Sequence, residues 1–97
     1  MNNCYFIGKI SEDLTINTEY GCSVCDFVIE VEEKWHGKTD GKKNVIKTML
    51  NCTAWDKGAD ALYSKFVKGD MIFIEGSLRH DDEGIDYVRV NSFRKVF

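Results

Sequence analysis

Short stretches of period-two hydrophobicity alternate with polar, turn-forming segments along this chain. Successive side chains of a strand point to opposite faces, so each such stretch carries two faces of different composition. Cys4–Ile10 reads as a first strand, with Gly8 as a bend or bulge. Residues 11–21 are polar and turn-rich. Residues 24–31 form a second strand, with Cys25, Phe27, Ile29 and Val31 on a core face and Val24, Asp26, Val28 and Glu30 opposite. Residues 35–44 centre on His-Gly-Lys-Thr-Asp-Gly-Lys-Lys, whose glycines and charges predict a hairpin loop. A third strand covers residues 45–55. The period then becomes helical over residues 57–68: Asp56 is placed to cap, Ala59, Leu62, Tyr63, Phe66 and Val67 share a face, and Gly69 supplies the stop. Residues 71–78 read as a fourth strand, Asp81-Asp82-Glu83-Gly84 as an acidic turn, and residues 85–93 or beyond as a fifth strand.

Three strands, a helix and two strands predict an all-β, five-stranded Greek-key barrel of the OB-fold type, one domain over residues 1–97, with its helix between strands three and four. Such barrels bind along the face of strands two and three. In the third strand Leu50, Cys52 and Ala54 suit a core, whereas Lys47, Met49, Asn51, Thr53 and Trp55 share the other face. A cation, a soft apolar chain, polar groups and an indole together suit a flat base with a phosphate beside it. Phe6, Phe27, Phe66 and Phe73 are assigned to the core, and Tyr5, Tyr20 and Tyr87 to half-buried barrel positions.

Charge sharpens this picture. Residues 34–47 hold Lys34, Lys38, Lys42, Lys43 and Lys47 against Asp40, a local balance of +4 that leaves −7 for the rest of a chain whose net charge is −3. One basic segment on an acidic body attracts an anion to one place and repels it elsewhere. His36 stands beside these lysines. The remaining chemistry is sparse. Cys22 and Cys25 are spaced as half a zinc site, but Cys4 and Cys52 stand alone and positions three apart in a strand diverge, so free thiols and no metal are expected. No carboxylate has a His or Lys placed beside it for acid–base work and no phosphate-cradling glycine loop is present, so no catalytic residue and no cofactor is expected. The N-terminus lacks the pattern of a secretion signal and no apolar run approaches a membrane span, which predicts a cytoplasmic protein without a membrane partner.

Six segments, in order, resemble bacterial-type single-stranded DNA-binding proteins. They are Asn3 with Ile7-Gly8-Lys9-Ile10 and Asp13; Phe27-Val28-Ile29-Glu30-Val31; Leu50-Asn51-Cys52-Thr53-Ala54-Trp55; Phe66-Val67-Lys68-Gly69-Asp70; Ile74-Glu75-Gly76-Ser77-Leu78-Arg79; and residues 87–91. The resemblance implies that Trp55 and Trp35 stack on bases, that Met49 takes a position often held by a third aromatic, and that Lys38, Lys42, Lys43 and Lys47 track phosphates, with Lys9 and Arg79 as lesser contacts. It also implies replication, recombination or repair as the setting. First strands would pair through Cys4, Tyr5, Phe6 and Ile7 into a homodimer or homotetramer.

The chain departs from that pattern in its short acidic turn of Asp81, Asp82, Glu83 and Asp86, and in ending at Phe97 without the usual flexible, acid-tipped tail. That implies either a trimmed chain or a tail-less relative, as on phages and mobile elements or like primosomal replication protein N, with no tail-recruited partners. Two alternatives stay open: a protein-interaction adaptor in a replication or primosome complex, and an RNA-binding barrel of the same design.

Overall fold

The computed structural model describes residues 1–36 and 43–97. Six strands and one helix follow in the order β1 (Cys4–Ile10), β2 (Thr15–Glu19), β3 (Cys22–His36), β4 (Lys43–Trp55), α1 (Asp56–Lys65), β5 (Met71–His80) and β6 (Asp86–Val96). The sheet runs β1-β5-β6-β4-β3-β2, and an added β1–β3 pairing closes it into a barrel. All pairings are antiparallel except β4–β6, where Cys52 lies opposite Val88 and Thr53 opposite Arg89. This is the OB-fold expected from the element order, with one more strand. Among the described residues no helix is long and apolar enough to cross a membrane.

The additional strand is β2, inside the segment read as turn-rich. Its partner is β3, from Thr15 opposite Asp26 to Glu19 opposite Cys22. Tyr20 and Gly21 both take positive φ, 52° and 76°, which is the two-residue turn whose twist suits a hairpin. β1 meets β3 just beyond, with Lys9 opposite Glu30 and Ile10 opposite Ile29. β1 and β2 therefore act as two halves of one barrel strand, broken at residues 11–14. Gly8 sits at the crossing and makes no bulge: a Cβ there would lie 2.8 Å from the Glu30 carbonyl oxygen. Among the described residues the one register shift falls between Glu75 and Gly76 of β5, where Asn91 of β6 is passed over.

The core is built by alternation. Cys25, Phe27 and Ile29 of β3 meet Cys52 and Ala54 of β4, Ile72 and Ile74 of β5, Val88 and Val90 of β6, and Ala59, Leu62 and Phe66 from the helical side. Phe6, Val31 and Leu50 pack around it, partly buried. Phe73 is not in this core. Ile72 and Ile74 occupy the inward positions, so parity turns Phe73 outward, where Tyr5 stacks on it at 6.2 Å. Tyr5 and Tyr20 are exposed rather than half-buried.

The helix is shorter than expected. Trp55, not Asp56, holds the cap position, without a side-chain cap bond. The chain leaves the helix at Phe66, and Tyr63 and Val67 face solvent. Asp70 ties down the exit: its carboxylate accepts the Val67 N–H at 2.9 Å, and Gly69 donates to the Ile10 carbonyl at 2.8 Å.

Candidate nucleic-acid interface

The β3–β4 ladder sets the site. It keeps register from Val24 opposite Trp55 to His36 opposite Lys43. Inward pairs are Cys25 with Ala54, Phe27 with Cys52 and Ile29 with Leu50. The outward rows must then be Val24–Trp55, Asp26–Thr53, Val28–Asn51, Glu30–Met49, Glu32–Lys47 and Lys34–Val45. Thr53, Asn51, Met49 and Lys47 thus follow Trp55 in one line, as the period-two reading expects. Trp55 and Thr53 are half-buried, while Asn51, Met49 and Lys47 are exposed. Behind the line, burial pushes the Cys25 thiol up to about 11 and the Cys52 thiol up to about 12, so both stay neutral core groups.

The two ends of this face differ in charge. At one end Trp55, Thr53, Asn51 and Tyr87 line a groove of about 580 Å³, together with the carboxylates of Glu12, Asp13, Glu19, Asp26 and Asp81. Asp26 is engaged there, accepting the Thr53 hydroxyl at 2.7 Å. At the other end Lys9, Lys34 and Lys47 surround a hollow of about 470 Å³ with Glu30 and Glu32. Lys47 Nζ lies 3.3 Å from Glu30 Oε1, an ion pair on its exposed side worth little in water. The face is therefore aromatic and acidic at the barrel end and basic toward the ribbon.

Beyond Val31 and Thr48 the two strands have no further partner strand among the described residues, and residues 32–35 and 45–48 are all exposed. This ribbon takes in residues expected in a loop. Trp35 belongs to β3, opposite Asn44, and is 47% exposed. Its parity is that of Phe27 and Ile29, so it lies on the opposite face from Trp55. The structure does not bring the two indoles together. Lys38 and Lys42 lie outside the described residues, and Lys43 is placed only by its backbone pairing with His36.

Two outward residues of β6 complete the barrel end, and sequence reading passed over one of them. Val88 and Val90 point inward, which turns Tyr87 and Arg89 outward. Arg89 lies opposite Thr53 and holds its guanidinium 5.7 Å from the centre of the Trp55 ring, a cation–π contact. The signal was available: the alternation of residues 87–90 puts a cation on the side away from the two valines. Arg79 extends the same side, opposite Tyr87, with its Nε donating to the Ser77 hydroxyl at 3.1 Å.

The expected pairing edge is also in view. From Cys4 to Gly8, β1 bonds β5 on one side only, and β3 joins at Lys9. Cys4 and Phe6 turn toward the core, while Tyr5 and Ile7 are exposed.

Comparison with known proteins bears on all of this. The sequence matches the single-strand binding protein family over residues 1–84. None of the curated proteins matches it. Among solved structures, a single-stranded DNA-binding protein of Thermus aquaticus, a deletion mutant, superposes with a TM-score of 0.84 at 17% identity, covering 100% of this chain and 51% of that one. The chain thus spans about half the length of that relative. A Plasmodium falciparum SSB in complex with ssDNA gives a TM-score of 0.80 at 20% identity, covering 100% of this chain and 94% of that one. The PriB protein of Ralstonia solanacearum gives 0.77 at 10% identity, covering 98% and 97%. At these identities the likeness is one of fold.

Proposed function

We propose that this chain, which belongs to the single-strand binding protein family, binds single-stranded DNA with little sequence preference, in replication, recombination or repair. The observation that carries the reading is the single outward line from Trp55 through Thr53, Asn51 and Met49 to Lys47, with Lys9 and Lys34 beside its basic end. A base stacks on the Trp55 indole, a second packs on Met49, and the backbone runs toward the lysines of the ribbon. Stacking is tolerant of base identity because every base has a π-face. No reaction is assigned to the protein, and the four free thiols suit a cytoplasmic setting.

The open edge of β1 supports pairing with a second copy through Cys4, Tyr5, Phe6 and Ile7, since an exposed strand edge needs a partner or a cover. Sedimentation of the free protein tests this, and a monomer at micromolar concentration contradicts it.

Binding of a labelled oligonucleotide across a salt series tests the main reading. If all of Lys34, Lys38, Lys42, Lys43 and Lys47 meet phosphates, the log–log slope approaches about −3.5. One specific observation favours a second reading. The carboxylates around the Trp55 groove repel phosphate and suit a basic protein surface, as in an adaptor. A folded sample that ignores both DNA and RNA oligonucleotides at low salt would select the adaptor, and preference for the RNA would select an RNA-binding barrel.

A further inference from the structure

We infer that Arg89 is a nucleic-acid-contacting residue that supplies the phosphate contact next to the base on Trp55 and so sets the side on which the backbone passes the indole. The inference rests on the single-strand-binding reading and goes beyond it by naming a residue and a path.

Four observations carry it. Arg89 is outward by strand parity, and the parallel β4–β6 pairing sets it opposite Thr53, beside the binding line. Its guanidinium lies 5.7 Å from the Trp55 ring centre, so it is already placed at the stacking surface. It belongs to neither of the ion pairs found among the described residues, which join Lys47 to Glu30 and Lys95 to Asp70. Finally, the groove that borders Trp55 is lined by five carboxylates and by no lysine or arginine, which leaves Arg89 as the cation in contact with the indole.

Together these favour one arrangement for a strand stacked on Trp55. A phosphate is one bonded group away from its base and cannot sit in the acidic groove without direct repulsion. It is drawn instead to Arg89, whose guanidinium, with several donors in a planar fork, can hold two phosphate oxygens at once. The guanidinium lies over the indole in the free protein, so a base that takes this ring face displaces it to the ring's edge, where it meets the phosphate of the same nucleotide. The lysines near the ribbon do not replace it, because they flank the far end of the line, past Met49.

The test compares wild type, Arg89→Ala and Arg89→Lys in binding a fluorescein-labelled deoxythymidine oligonucleotide across a salt series, with melting temperatures measured alongside. Arg89→Ala is expected to bind about tenfold or more weakly at low salt, as for loss of a charged hydrogen bond. Its salt slope should be shallower by about 0.7, the share of one phosphate contact on a single strand. Arg89→Lys should recover the slope. A purely structural role would leave the slope of Arg89→Ala at the wild-type value, and that result overturns the inference even if affinity falls. If Arg89→Ala loses its fold, Arg89→Gln keeps the stem without the charge and carries the same comparison. Wild type that does not bind overturns the parent reading, a result distinct from a variant that binds with an unchanged slope.

Discussion

The placement of the two tryptophans on opposite faces of the β3–β4 ladder makes a prediction that separates them. Trp55→Ala removes the indole that lies opposite Val24, borders the groove and stands under Arg89. Base–aromatic stacking contributes about 1–3 kcal/mol per base, so the dissociation constant for a short oligonucleotide should rise about 5- to 150-fold. Trp35→Ala removes a ring with the parity of the core residues, and its effect should stay within about threefold, the range of a surface change near ±0.5 kcal/mol. Anisotropy of a labelled oligonucleotide reads both without depending on either tryptophan as a probe. Stability needs a parallel measurement. A fully buried tryptophan cut to alanine costs about 3–5 kcal/mol, and the half-buried Trp55 should cost less, leaving a folded protein to titrate. Trp55→Phe keeps a stacking ring and should lie between wild type and Trp55→Ala. Equal losses for Trp35→Ala and Trp55→Ala, or no loss for folded Trp55→Ala, would refute the reasoning from strand parity.

Three further outcomes follow from the same geometry. Gly76→Ala puts a Cβ onto the carbonyl oxygen of Arg89 at the shifted register of β5, so it should cost about 1–3 kcal/mol and lower the melting temperature by about 4–8 °C per kcal/mol. Glu30→Gln removes the carboxylate that pairs with Lys47 in the basic hollow, and should tighten oligonucleotide binding a few-fold at low salt while steepening its salt dependence. Asp70 is held below the usual carboxylate range chiefly by the Val67 N–H, with Lys95 helping. Its contribution is therefore complete above that range and is lost as pH falls through the lowered pKa. Asp70→Asn should be less stable than wild type at neutral pH, and the gap in thermal melts should close in acid.

Much of this was legible because the pleat enforces a period of two. The inward series Leu50, Cys52 and Ala54 announced the outward series ending in Trp55, and the register agrees row by row. The same count, carried from Cys25 through Val31, reaches Trp35 and puts it on the core-side face. The loop reading stopped that count, since glycines and lysines at residues 37–43 look like a turn wherever the strand ends. Phe73 was misplaced because a large aromatic suggests a core, although Ile72 and Ile74 on either side already claimed the inward positions. β2 was missed for a different reason. Thr15–Glu19 buries only Ile16, and that in part, so it carries almost no alternating signal and depends on β3 for its partners. The acidic lining around Trp55 was not legible at all, because Glu12, Asp13, Glu19, Asp26 and Asp81 converge only when β2, β3 and the β5–β6 turn are folded together. Arg89 needed both: parity to face it outward and the parallel β4–β6 pairing to bring it to Trp55.

The central claim is that one outward face of β4 stacks bases while cations along it hold the backbone. Titration of the folded protein with oligo-dT at two salt concentrations, followed by tryptophan emission, tests it most directly. The account predicts quenching that saturates at low salt and shifts to weaker binding as salt rises. Unchanged emission at low salt, from a sample shown to be folded, would contradict it.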